Sequence, residues 1–238
     1  MRPNRLVTSA LLFAACLALP AQAATTLTVS QQGSGIFGTN GYAAVTITET
    51  GLRPNGLRVY AGGFAVQGKL NGTVLSRFTA WCVDIATYLR LPSLYTTTTA
   101  PFASGPLSTI TMANIEHLFE TGYKTLDLTK AADSAGFQLA LWEVLYEKSS
   151  SGFSLKTGNF SAANSKDAIK KGQSLLVGLG AAQNADYNLT YLQSTDNRAT
   201  TGHYSQNLVA PVPLPAGAVL LISGLAGLAA LRRRRKPL

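Results

Sequence analysis

Few side chains in this 238-residue chain have types that invite chemistry, and two of them stand out. The first is a cysteine. Cysteine occurs twice, at Cys16 and Cys82, but Cys16 lies in a segment with the marks of a secretory signal. Residues 1–23 begin basic at Arg2 and Arg5, run apolar from Leu6 to Leu19, break at Pro20 and end in Ala21-Gln22-Ala23, a small-x-small cleavage site. Cleavage there leaves one sulfur, Cys82, within Phe78-Thr79-Ala80-Trp81-Cys82-Val83-Asp84. Unpaired in an oxidising compartment, it makes no internal disulfide. It is either a small buried hydrophobe or a thiol with a reaction to perform. The second group is Gln138, within Phe137-Gln138-Leu139-Ala140-Leu141-Trp142-Glu143. One helical turn before Trp142 and near Leu141 and Leu145, it shares their apolar face. An amide there needs a partner, and a neighbouring backbone group would serve.

Other chemistries find little support. The two histidines, His117 and His203, and the lack of any Cys-x-x-Cys leave too few ligands for a zinc site. No acidic loop of calcium-binding spacing occurs, so no metal and no cofactor are expected. Gly33-Ser34-Gly35 lacks the spacing of a nucleophile elbow, and Lys156-Thr157-Gly158 stands without the Ser-x-x-Lys that accompanies it in β-lactamases. A serine triad assembles across space, which leaves a secreted hydrolase as an alternative to a protein that is not an enzyme. The charge balance also misleads at first. Net charge is +9, from 20 Lys+Arg against 11 Asp+Glu. Seven of the basic residues are Arg2, Arg5, Arg232, Arg233, Arg234, Arg235 and Lys236, all at the ends. The body between them is almost neutral and holds no basic stripe for nucleic acid.

The elements that would position Cys82 and Gln138 can be read from periodicity. Leu27 to Gln31, Tyr42 to Thr50, Leu57 to Leu70 and Thr73 to Ile85 alternate apolar and β-branched residues between Gly and Asn-Gly turns, as strands do. Cys82 falls in the last of these. Ser108 opens a helix that passes through Met112, Ile115, Leu118 and Phe119 and stops at Gly122. A second helix runs from Ala131 to Tyr146 and carries Gln138; a third lies near Ala163 to Leu179. Strands over Tyr187 to Leu192 and Tyr204 to Val209 follow. Because strands and helices do not alternate one by one, the pattern predicts an α+β protein: a β-rich sandwich or barrel with a few inserted helices. The expected domains are a signal peptide at 1–23, an extracellular body at 24–210 and a tail at 211–238.

The tail has three parts: Val212-Pro213-Leu214-Pro215-Ala216, an apolar stretch from Gly217 to Leu231, and the cluster Arg232 to Lys236. As a helix, Ala216 to Leu231 would be roughly 24 Å long. That is short of a ~30 Å hydrocarbon core, but flanking residues and snorkelling arginines extend it to one transmembrane helix. Positive residues stay cytoplasmic, so the body would lie outside. The tripartite order resembles the PEP-CTERM class of sorting tails in its Val-Pro-Leu-Pro-Ala variant. That resemblance implies recognition by an exosortase, a membrane transpeptidase, and delivery to the cell surface or extracellular matrix. Phe13-Ala14-Ala15-Cys16 is a loose lipobox, the competing route, in which Cys16 would be acylated.

Trp81-Cys82-Val83-Asp84 followed by Gln138-Leu139-Ala140-Leu141-Trp142 resembles the thioester domains of bacterial surface adhesins. Those domains pair a cysteine in an aromatic-Cys-hydrophobic-polar motif with a glutamine in a Gln-x-x-hydrophobic-Trp motif. The resemblance implies that Cys82 and Gln138 condense with loss of ammonia, giving an internal thioester that captures an amine or hydroxyl on a target. Phe137 stands where the adhesins carry Thr, Glu143 follows the tryptophan, and the two reactive residues are 56 apart, a short separation for the family. In such a site, Trp81, Val83, Phe137 and Trp142 would exclude water, and Asp84 or Glu143 would carry the proton. The expected function is therefore an exported adhesion or matrix protein that attaches through Cys82 and Gln138. A structural matrix component with an inert Cys82 is the alternative.

Overall fold

Thr26–Gln31 (β1) alternates, burying Leu27 and Val29, and Ala43–Glu49 (β2) does the same with Val45, Ile47 and Glu49. Arg53–Ala61 (β3), Phe64–Leu70 (β4) and Thr73–Cys82 (β5) follow. The computed structural model describes residues 26–33, 35–98, 106–148, 152–179, 188–195 and 204–211. Later elements are Ser93–Thr98 (β6), Thr109–Thr121 (α1), Ala131–Tyr146 (α2), Phe160–Ala163 (β7), Lys166–Leu175 (α3), Leu189–Ser194 (β8) and Leu208–Pro211 (β9). Six strands close a barrel in the order β1-β4-β5-β9-β8-β6, and β3-β2-β7 form a separate sheet. Every pairing is antiparallel. The β-rich reading with a few inserted helices holds, in its barrel form.

Local chemistry explains the main turns. Asn71 (φ 48°) and Gly72 (φ 86°) link β4 to β5 as a two-residue hairpin loop, a conformation that Asn-Gly favours. The single strand expected over Leu57 to Leu70 is instead β3 and β4, which belong to different sheets. The chain crosses between them at Gly62-Gly63. A Cβ on Gly63 would stand 2.5 Å from Thr79 Cγ2 and 2.9 Å from the Trp81 ring, so a side chain there would block the crossing. Gly63 N–H also donates to Ser134 Oγ at 3.0 Å, which ties the crossing to α2.

β6 lies where the sequence showed no element, and it closes the barrel between β1 and β8. β7 takes up Ala163, which was expected to begin the third helix, because pairing with β2 outweighs helix propensity. The chain then turns at Asn164 (φ 68°), and α3 starts at Lys166. The first helix is capped as expected: Ser108 Oγ accepts from Thr111 N–H at 3.0 Å, and Gly122 ends it. The last strand extends through Pro211.

α2 organises the interior. It is buried continuously from Ser134 to Val144, so it is a core helix packed on all sides. α3 approaches it through glycines. A Cβ at Gly172 would meet Leu155 Cδ1 at 2.7 Å and the Gly136 carbonyl oxygen at 2.8 Å. Gly172→Ala should therefore cost about 1–3 kcal/mol through overpacking, read as a lower midpoint in urea unfolding. Among the described residues no helix is long and apolar enough to cross a membrane. The signal segment 1–23, Cys16, and the tail residues Val212 to Ala216 and Arg232 to Lys236 lie outside the described residues.

Candidate functional site

The burial of β5 changes along its length. Its first residues are exposed or half-exposed, whereas Ala80, Trp81 and Cys82 are all buried. Cys82 pairs with Leu208 of β9 and faces α2 as well, so both faces of the strand are covered at this end. Successive side chains on a strand point to opposite faces, which separates Trp81 from Cys82. Trp81 packs into an aromatic cluster, with Phe137 at 4.6 Å between ring centroids and Tyr123 at 6.1 Å. Phe137 in turn meets Phe119 at 4.9 Å. Cys82 faces the other way, into a cleft of ≈ 580 Å³ that Gln138 and Trp142 also line. Trp81 and Phe137 therefore support the site from behind, and Trp142 is the aromatic residue that shares the cleft with the sulfur.

Gln138 meets Cys82 directly. Cys82 N–H donates to Gln138 Oε1 at 2.9 Å, and Gln138 Nε2 donates to the Cys82 carbonyl at 2.9 Å. These paired bonds fix the orientation of the amide, because oxygen must face the N–H and nitrogen the carbonyl. Both residues are almost fully buried. The sulfur is a free thiol held by its own strand end: Asp84 N–H donates to Sγ at 3.3 Å, and Sγ–H donates to Asp84 O at 3.3 Å. Burial pushes the thiol up to about 12, against the opposing pull of the Asp84 backbone N–H and the Trp142 indole. Cys82 is thus protonated at neutral pH.

The segment after Cys82 is held from three directions. Tyr146 hydroxyl, about two turns beyond Gln138 on α2, accepts from Ile85 N–H at 3.1 Å and donates to Val83 O at 3.2 Å. Gln206 Nε2, just before β9, donates to Asp84 O at 3.0 Å and Thr87 O at 2.9 Å. Arg53 from β3 reaches Ala86 O at 3.2 Å. Tyr146→Phe should leave the Ile85 N–H and the Val83 carbonyl without this partner, lowering unfolding free energy by about 1–3 kcal/mol in denaturant titration. Tyr146 and Gln206 escaped the sequence reading, since no local pattern marks a hydroxyl or amide that serves a distant backbone.

The two candidate proton carriers separate. Asp84 stays beside the thiol, with its Oδ1 accepting from Ala86 N–H at 2.9 Å. Glu143 points elsewhere. Its Oε1 accepts from Ser154 N–H at 2.7 Å, on the loop before β7, while its Oε2 is buried with no partner among the described residues. Burial pushes its carboxyl up to about 7, with the Glu147 charge adding to the effect. Among the described residues no cluster of three or more metal-ligating side chains occurs.

No protein-family model matches the chain, and no curated protein matches it. Among solved structures, it is similar to the N-terminal thioester domain of a surface protein from Clostridium perfringens, at 12% identity and a TM-score of 0.40, over 71% of this chain and 99% of that one.

Proposed function

We propose that this is an exported surface or matrix protein whose Cys82 and Gln138 condense to an internal thioester, through which the body attaches covalently to a partner. The observation that carries this reading is the docking of the Gln138 amide on the peptide group of Cys82 itself. In the condensation, Sγ attacks Gln138 Cδ, the C–S bond forms and the C–N bond breaks. The thiol proton leaves with the amide nitrogen as ammonia, with Asp84 as the carboxylate beside the thiol. The Cys82 N–H already on Oε1 is placed to hold the charge that develops on that oxygen. In capture, sulfur changes from nucleophile to leaving group. A hydroxyl or amine attacks Cδ, the C–S bond breaks, and the nucleophile's proton passes to sulfur. The Trp142 indole and the Asp84 N–H, which both favour the thiolate, ease the departure of sulfur.

Export rests on the signal-like segment 1–23, and sorting rests on the tail 211–238 with its Val212-Pro213-Leu214-Pro215-Ala216 motif and Arg232 to Lys236 cluster. On this reading the tail passes transiently through the inner membrane, and an exosortase-type transpeptidase is its partner. Methylamine treatment tests the reactive centre. Peptide mapping should find a methylamide at Gln138 and a newly free Cys82, and Cys82→Ser should take up nothing. Unmodified Gln138 in the treated wild type would sink the proposal. One observation favours a second reading, a matrix component with an inert thiol: both polar ends of the Gln138 amide are satisfied by backbone, as in a purely structural staple.

A further inference from the structure

Resting on the thioester reading, we propose that the cleft above Cys82 binds an anionic saccharide and that the captured nucleophile is a sugar hydroxyl. Three features of the cleft point the same way. The first is charge. Arg58 and Arg90 both line it, both are exposed, and neither forms an ion pair among the described residues. Among the described residues no Asp or Glu lines the cleft; the Asp84 carboxylate beside the thiol is turned to Ala86 N–H. A lysine ammonium entering here would meet two guanidinium groups along the lining, whereas a carboxylate gains charge-assisted hydrogen bonds.

The second feature is an unused hydrogen-bonding group. Gln206 is 9% exposed and lines the cleft, and its Oε1 is buried with no partner among the described residues, since Nε2 is committed to Asp84 and Thr87. This acceptor can take the proton of a sugar hydroxyl. The third feature is aromatic. Tyr60 and Tyr88 line the cleft while 63% and 65% exposed. Tyr60 is braced edge-on by Tyr42 at 5.5 Å, and Tyr42 stacks on Phe37 at 4.4 Å. Exposed tyrosines, one of them braced, offer flat apolar faces with a polar edge, which suit the C–H faces of pyranose rings. The volume, ≈ 580 Å³, falls within the range of small-molecule sites.

In the captured state a sugar oxygen bonds to Gln138 Cδ as an ester, the C–S bond is broken, and the hydroxyl proton resides on Cys82 sulfur. The test uses the exported protein with three probes: oligogalacturonate, neutral maltopentaose and cadaverine. Intact mass follows adduct formation, and calorimetry follows reversible binding to the wild type and to Arg58→Gln/Arg90→Gln. The expected result is an adduct with oligogalacturonate forming about tenfold faster than with maltopentaose, an advantage removed in the double variant. Reversible, salt-sensitive binding of oligogalacturonate without any adduct from any probe would support the cleft assignment while refuting the thioester. Faster capture of cadaverine, equal reaction with maltopentaose, or no preferential binding of the uronate would overturn the saccharide proposal, even if a thioester is present.

Discussion

Relative to the uncondensed protein, Gln138→Ala should lower the unfolding free energy by about 3–5 kcal/mol. The substitution takes two hydrogen bonds from the Cys82 peptide, which lies in a strand end covered on both faces. Each backbone group left unpaired in that interior costs about 1–3 kcal/mol, and the vacated side-chain volume adds to it. Gln138→Glu separates the polar requirement from the volume. It keeps an acceptor for the Cys82 N–H but sets a second oxygen against the Cys82 carbonyl, so its stability should recover at acid pH, where the carboxyl gains a proton to donate. Urea titration at two pH values reads both effects. Equal stability of wild type and Gln138→Ala would mean that the amide does not hold β5 to α2.

The second large effect belongs to Glu143. Its carboxyl ordinarily titrates at 4.5 and is pushed up to about 7 in the folded protein, chiefly by burial. Below 4.5 folded and unfolded chains both hold the proton. Between 4.5 and 7 the unfolded chain has released it while the folded chain keeps it, so stability falls as pH rises through this window. Above 7 the full loss is present, about 1–2 kcal/mol from this one group once solvent screening is allowed for. Glu143→Gln removes the titration while keeping an oxygen for Ser154 N–H. The variant should have a flatter stability profile from pH 4.5 to 7 and should be more stable than wild type at pH 8. A parallel pair of profiles would show that Glu143 titrates normally.

What sequence revealed and what it hid follow from the range of each interaction. The Asn71-Gly72 hairpin, the Ser108 cap and the Gly122 stop depend on neighbours within four residues, and they appear where periodicity and turn chemistry put them. Trp81-Cys82-Val83-Asp84 and Gln138 to Trp142 could be paired only by resemblance, and the structure brings Cys82 and Gln138 into direct contact. Glu143 shows the limit of adjacency. It follows Trp142 in the chain, but about 100° of helical rotation turns it from the cleft to the loop at Ser154. β6 and β7 were hidden because short Thr- and Ala-rich stretches become strands only when a partner strand is present. The cleft itself draws Arg58 from β3, Arg90 from the loop before β6 and Gln206 from the approach to β9, and no local window contains more than one of them.

The central claim concerns one bond, between Cys82 sulfur and Gln138 Cδ. Intact mass of the exported protein, measured under non-reducing conditions beside Cys82→Ala, tests it most directly. The thioester predicts a wild-type mass lighter than its sequence by one ammonia, a Cys82→Ala mass equal to its sequence, and no wild-type thiol available to a labelling reagent after denaturation. A wild-type mass equal to its sequence, with Cys82 fully labelled once unfolded, would contradict the account and leave Gln138 as a structural staple.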